Sequence, residues 1–280
     1  MTAMLPQLEA FSGEEHRAFT LMGGKPAALF VHGFPGTAND LRGLAEALNA
    51  DGWTTHNVLL PGFGRDIERL PKHTYRDWLA AVADRLTDLK RRHAPVMLVG
   101  HSMGGALSIT AAAQVGVDAL VLLAPFYKIN SPLWSVLPVV QAVLPSVKPF
   151  KLFKPDFSNA EFRDGVSKFV PNFDFDDPQQ RAALSELSVP VRVFAQVREA
   201  GVRAYANAPK IGVPTLVVQG RRDSLVMPDN TRALMARLRG ATQWVEVDGE
   251  HEINRPDHAS WPEVRQAVAR FADVVAGGKR

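Results

Sequence analysis

The sequence predicts an α/β fold: a mostly parallel central sheet with helices on both faces and an inserted helical cap. Three observations carry that expectation. Short apolar runs alternate with helix-length segments from residue 27 to 126, and the alternation resumes at Pro214. Several of those runs are apolar at every position rather than at alternate ones, as strands covered on both faces require. Between about Tyr127 and Asn207 the alternation stops, and a stretch rich in Pro, Phe and Leu takes over. The expected units are a core of residues 1–126 and 208–280 and a cap of residues 127–207.

Taken in order, residues 8–11 and 18–22 read as two short strands, and Ala27-Ala28-Leu29-Phe30-Val31 as a buried one that runs into the loop His32-Gly33-Phe34-Pro35-Gly36. Residues 39–50 have helical spacing, with Thr37 or Asn39 as cap, Leu41, Leu44, Ala45 and Leu48 on one face and Gly52 just past the end. Residues 53–60 form a strand stopped by Pro61-Gly62. Thr74-x-x-Asp77 has the pattern of a capping box opening a long helix, whose buried stripe is Trp78, Val82, Leu86 and Leu89. Strands at 96–99 and 119–124 flank a helix at 103–115.

In the cap, Trp134, Val136, Leu137, Val139, Val140, Val143 and Leu144 form a greasy patch. Phe150, Phe153, Phe157, Phe162, Phe169, Phe173 and Phe175 follow. As a group they predict an apolar pocket roof, although core packing is the commoner fate of a single Phe. Pro190 suits the first turn of a last cap helix, with Val191, Phe194, Val197, Val202 and Tyr205 near helical spacing. After the strand at 214–220 come a helix including Leu234, a strand at 242–247, and a closing helix at 262–275 with Val264, Val268, Phe271 and Val275 facing inward.

Composition narrows the function. The 280 residues are 46% hydrophobic, enough for a full core, and the net charge is only +3. No Lys/Arg stretch is interleaved with aromatics, so no nucleic-acid partner is expected. There is no cysteine, hence no disulfide, thiolate metal site or cysteine nucleophile. The first residues carry Glu9, Glu14 and Glu15 without a continuous apolar stretch, and no run reaches the ~18 residues of a membrane span. A cytoplasmic protein, monomer or homodimer, without an integral membrane segment is expected.

The chemistry is concentrated in Gly100-His101-Ser102-Met103-Gly104, between a strand and a helix of small residues. A G-x-S-x-G turn of this kind forces the serine to positive φ and lifts its hydroxyl above the sheet at a helix N-terminus. Gly100 and Gly104 are needed because a Cβ at either would meet neighbouring backbone. A serine hydroxyl is a poor nucleophile until a base lies within hydrogen-bond reach and a third group orients that base.

On such a sheet the partners come from loops after later strands, in the order serine, acid, histidine. Asp223, just past the strand at 214–220, and His251, just past the last strand, fit that order. His258 competes with His251 but lies beyond Pro256, further from a strand end. Asp248 is too close in sequence to His251, and Asp118 is at the wrong end of its strand. Asp223 also reads, more blandly, as a helix cap. Histidines 16, 56, 73, 93 and 101 read as plain surface. Two backbone N–H groups must face the developing oxyanion. Met103, directly after the nucleophile, and Phe34, followed by a proline with no N–H to give, are the candidates.

These stretches resemble the α/β-hydrolase superfamily across nearly the whole chain. Within it, His32-Gly33-Phe34, Leu59-Leu60-Pro61-Gly62, Asp77-Trp78, Gly100-His101-Ser102-Met103-Gly104-Gly105, Ala124-Pro125 and Pro214-Thr215-Leu216-Val217-Val218-Gln219-Gly220 with Asp223 are similar to the small carboxylesterase and monoacylglycerol lipase family. The resemblance implies Ser102, Asp223 and His251 as triad and the Phe34 and Met103 amides as oxyanion hole. Phe63 stands where that family usually has histidine and is read as loop packing. The activity expected is hydrolysis of short- to medium-chain carboxylic esters or monoacylglycerols through an acyl-enzyme, on a small-molecule ester with an apolar acyl group. No metal or organic cofactor is implied. The same triad serves carbon–carbon bond hydrolysis or acyl transfer, and a ligand-binding receptor with a retained triad is the reading from another class.

Overall fold

A computed structural model describes residue 11, residues 13–130 and 189–277 and, between them, residues 134, 137, 146–148, 156–159, 162, 163, 166 and 173–186. Seven strands form the main sheet: β1 (Phe19–Leu21), β2 (Ala27–Val31), β3 (Thr54–Val58), β4 (Val96–His101), β5 (Ala119–Leu123), β6 (Thr215–Gly220) and β7 (Thr242–Val247). Their spatial order is β1-β3-β2-β4-β5-β6-β7, with β1 antiparallel to β3 and every other pairing parallel. The main helices are α1 (Arg42–Ala50), α2 (Tyr75–Arg92), α3 (Met103–Val115), α4 (Pro178–Ser185), α5 (Val191–Asn207), α6 (Pro228–Met235) and α7 (Trp261–Val275).

Period-two alternation sorts the central strands between two cores. Leu29 and Val31 of β2, Leu98 of β4 and Leu120 and Leu122 of β5 join one cluster with α2, α3 and α5. Ala28, Phe30, Met97, Val99, Val121 and Leu123 join the other, with α1 and α7. Both faces are covered, which is why these strands read as continuous apolar runs. β3 is the exception: Thr54, Thr55, His56 and Asn57 are all buried. Some of its polar groups find partners nearby, as most buried polar groups do, whereas Thr55 Oγ1 and Asn57 Oδ1 have no hydrogen bond among the described residues. Thr54 Oγ1 donates to the Gly24 carbonyl and Asn57 Nδ2 to that of Ala38.

Register puts the strand ends level. Val31 lies opposite Gly100, Gly100 opposite Leu122, Leu123 opposite Val218 and Gly220 opposite Val247. The loops that follow β2, β4, β6 and β7 therefore leave the sheet at one carboxyl edge, where ligands of parallel sheets bind. Asp118 is at the opposite end, accepting from the Val96 N–H at 2.7 Å.

The elements differ from expectation in detail. A 3₁₀ turn (Ala38–Leu41) precedes α1, and Thr37 supplies the cap by accepting from the Asn39 N–H. On α5 the buried positions include Val193, Val197, Ala200 and Ala204, whereas Val202 is 43% exposed. Of the five apolar positions read at helical spacing, Val191 and Val197 are buried and Phe194 and Tyr205 pack against core residues, so Val202 alone of them faces outward. A Cβ on Gly201 would come within 2.4 Å of the Tyr127 carbonyl oxygen. Phe157, Phe162, Phe173 and Phe175 pack with Val166 and Leu184 in a cluster of their own. Val136, Val139, Val140, Val143, Leu144, Phe150, Phe153, Phe169 and residues 8–10 lie outside the described residues.

Candidate active site

β4 ends at His101, and the chain turns into α3 through Ser102 at φ 51° and ψ −118°. A non-glycine residue at positive φ is held there only by its surroundings, at a cost of about 1–3 kcal/mol. The flanking glycines make the turn possible. A Cβ on Gly104 would lie 2.0 Å from the Val31 carbonyl oxygen, and one on Gly100 2.5 Å from that of Gly104. The Ser102 N–H bonds the Leu123 carbonyl at 2.9 Å, tying the turn to β5.

Three chain-distant side chains meet above this turn. His251 Nε2 lies 2.9 Å from Ser102 Oγ, and His251 Nδ1 lies 2.8 Å from Asp223 Oδ2. All three residues are buried. Because Nδ1 donates to the carboxylate, Nε2 carries the lone pair that faces the hydroxyl. Asp223 is not a helix cap. Its Oδ1 accepts from the N–H groups of Leu225 and Val226 at 3.0 and 2.7 Å, and its Oδ2 from His251 and from Gln219 Nε2. Met227 occupies the N-cap of α6 instead. His258 sits in the turn before α7, its N–H on the Arg255 carbonyl.

The loop after β2 passes directly against Ser102. A Cβ on Gly33 would lie 3.2 Å from both Ser102 Cβ and His101 Nδ1. His32 fixes the loop: its Nε2 accepts from the Leu60 N–H at 3.1 Å, so its Nδ1 is the donor to the Gly33 carbonyl at 2.9 Å. Burial holds the His32 pKa down to about 4. Met103 opens α3, so its N–H has no acceptor within the helix. Phe34 is half-buried, its ring edge-on to Phe63 at 6.1 Å and to Phe194 of α5 at 6.0 Å. Phe63 is buried between His32 and Trp78, the loop packing expected of it.

Two residues were not legible as part of this site. His101, expected on the surface, is 2% exposed. Its Nε2 bonds the His251 carbonyl at 3.2 Å, its ring lies against that of His251 at 5.0 Å, and burial lowers its pKa to about 4. His56, also expected on the surface, is buried in β3 beside Thr20. Gln219, the second residue beside Asp223, is fully buried in a strand whose other residues are mostly apolar. That is the signal that could have found it, since a buried amide needs partners. Among the described residues, ligating atoms of His101, His251 and Glu252 lie within 4.8 Å of one another. Both nitrogens of His251 and Nε2 of His101 are already hydrogen-bonded within the protein.

Residues 24–253 match the family Hydrolase_4, described as serine aminopeptidase, S33. The chain belongs to that family. A thermostable monoacylglycerol lipase of Bacillus sp. (strain H-257) is 37% identical over 106 residues, which are 38% of this chain and 42% of the lipase. A carboxylesterase of Bacillus subtilis (strain 168) is 26% identical over 238 residues, 83% of this chain and 87% of the esterase. The match to the lipase thus spans less than half of that protein's length, and the match to the esterase most of it. A solved structure from LipS and LipT, two metagenome-derived lipolytic enzymes, superposes with a TM-score of 0.74 at 20% identity, covering 94% of this chain and 98% of that one. The Hydrolase_4 chain therefore has the α/β-hydrolase fold and resembles the carboxylesterases and monoacylglycerol lipases. No helix among its described residues is long and apolar enough to cross a membrane.

Proposed function

We propose that the protein hydrolyses carboxylic esters of short- to medium-chain acyl groups, or monoacylglycerols, with Ser102 as nucleophile. One observation carries the reading: a single imidazole, His251, spans Ser102 Oγ and Asp223 Oδ2 at 2.9 and 2.8 Å. As Oγ attacks the acyl carbon, His251 Nε2 takes its proton, and Asp223 holds the imidazolium that results. The oxyanion faces the Met103 and Phe34 N–H groups, each such donor being worth roughly 2.7–4 kcal/mol. Collapse of the tetrahedral intermediate expels the alcohol, which receives the proton from His251. Water, activated by the same imidazole, then attacks the acyl-enzyme and releases the acid.

The carboxylesterase and lipase relatives support an ester substrate. An apolar acyl group is supported by the Phe34, Phe63 and Phe194 rings, which make the side of the oxyanion loop facing α5 aromatic. The test is turnover of p-nitrophenyl esters graded from acetate to decanoate, of monoacylglycerols, and of aminoacyl p-nitroanilides, the last because the family's description names an aminopeptidase. Multiple turnovers on esters, abolished by Ser102→Ala with the far-UV circular dichroism unchanged, are expected. Undiminished ester activity in that variant overturns the assignment of the nucleophile, and turnover of the anilides alone overturns the substrate class.

A further inference from the structure

We infer that Gln219 is a positioning residue of the triad, acting through Asp223, with Thr231 setting the direction in which its amide points. The inference rests on the serine-hydrolase reading above, since it assigns Gln219 a role only in a working Ser102–His251–Asp223 relay.

Gln219 lies near the end of β6, four residues before Asp223, and is fully buried. Its Nε2 is 3.0 Å from Asp223 Oδ2, the same oxygen that accepts from His251. That nitrogen also faces the carbonyl oxygens of Gly220 at 3.2 Å and Val226 at 3.1 Å. Two carbonyls and a carboxylate are acceptors only, so the –NH₂ end must point at them. The opposite end is fixed as well: Thr231 Oγ1, on α6, is 2.7 Å from Gln219 Oε1 and donates to it. Reversing the amide would set its oxygen against three acceptors and leave the hydroxyl proton of Thr231 without this partner.

The consequence for the relay is geometric. The Asp223 carboxylate is held by backbone N–H groups on Oδ1 and by Gln219 on Oδ2, so its plane cannot turn about Cβ–Cγ without breaking a bond on each side. The oxygen that receives His251 Nδ1–H is thereby kept in one place. Gln219 also ties both ends of the loop from 220 to 226 together through the two carbonyls, so the acid is placed by β6 and α6 and not by the loop alone. Catalytic geometry is sensitive to displacements of about 1 Å, so such anchoring acts on the rate and not on substrate affinity.

The experiment is a double-mutant cycle between Gln219→Leu and Asp223→Ala, read as kcat and KM on a p-nitrophenyl ester that the parent protein turns over. Gln219→Leu removes the donor, and it should lower kcat by 10- to 100-fold with KM within twofold of the parent. In the Asp223→Ala background the same substitution should lower kcat by less than twofold, since the group it acts through is gone. Thr231→Val, which touches no triad residue and leaves Gln219 in place, should lower kcat 3- to 10-fold with KM unchanged, which keeps the inference testable if Gln219→Leu fails to fold.

A folded Gln219→Leu or Thr231→Val protein with parental kcat overturns the inference. So does a loss that is equal in both Asp223 backgrounds or that falls on KM. If instead the parent protein shows no Ser102-dependent ester turnover, it is the proposed function that fails, and the cycle is not reached.

Discussion

Ser102 is held at φ 51° by neighbours that leave no room for side chains on either glycine of its turn. Gly104→Ala tests that crowding. Its new Cβ would stand 2.0 Å from the Val31 carbonyl oxygen and 2.5 Å from that of His32, both backbone atoms that cannot swing aside. The variant should lose several degrees in melting temperature by calorimetry and lose ester turnover, because relief requires α3 to move off β2 and to carry Ser102 with it. Asp223→Asn tests the relay with the fold intact. An amide presented to His251 can donate to Nδ1 and leave the proton on Nε2, the wrong tautomer for a base, and kcat should fall by about 10⁴-fold, with some loss of stability because the same amide nitrogen sets a donor against Gln219 Nε2. Ser102, Asp223 and His251 were legible because each follows a strand that the apolar pattern marks. His101 was not: it shares the elbow motif, yet nothing in the one-dimensional order says that its ring lies against His251. Gln219 was visible only as part of a resemblance, since its partner on α6 comes from packing.

At the scale of elements, α2 starts where Thr74 and Asp77 say it should. Asp77 Oδ2 accepts from the Thr74 N–H at 2.7 Å and from its hydroxyl at 2.9 Å, and those bonds hold the Asp77 carboxyl below the usual carboxylate range. Asp77→Ala should shift the urea midpoint by an amount worth about 1 kcal/mol while leaving kcat and KM unchanged, since the cap is a helix-end feature away from the relay. Amphipathic helices such as α1, α2 and α7 were readable from their stripes. α3 is buried from Met103 to Ala112, having sheet on one side and helices on the other, so it has no polar face to read. On α5 the buried side holds Ala200, Gly201 and Ala204 beside Val193 and Val197, and these small residues are set by close approach to the core, which hydropathy does not mark.

For the whole molecule, the parallel sheet and the carboxyl edge that brings Ser102, Asp223 and His251 together followed from alternation and strand order, whereas the 127–207 region, with proline and phenylalanine throughout, has no period that encodes which rings face which. A second global property comes from buried histidines. Burial lowers His32, His56 and His101 to about 4, against an unfolded value of about 6.5. Between those values the unfolded chain binds protons that the native protein does not, so stability falls as pH drops from about 6.5 towards 4. Each fully buried ring contributes on the order of 3 kcal/mol to that loss. Melting temperature should therefore be nearly flat from pH 7 upward and fall steeply below pH 6, and His56→Gln, away from the relay, should make the fall shallower without changing kcat at pH 7. A melting temperature unchanged between pH 7 and 4.5 would contradict this.

The convergence of Ser102, His251 and Asp223 into one proton relay is tested most directly by intact-protein mass spectrometry after reaction with a fluorophosphonate, followed by peptide mapping. A single adduct on Ser102 is expected, formed at least 100-fold more slowly in His251→Ala. An adduct on another residue, or labelling at the parental rate without the imidazole, would contradict it.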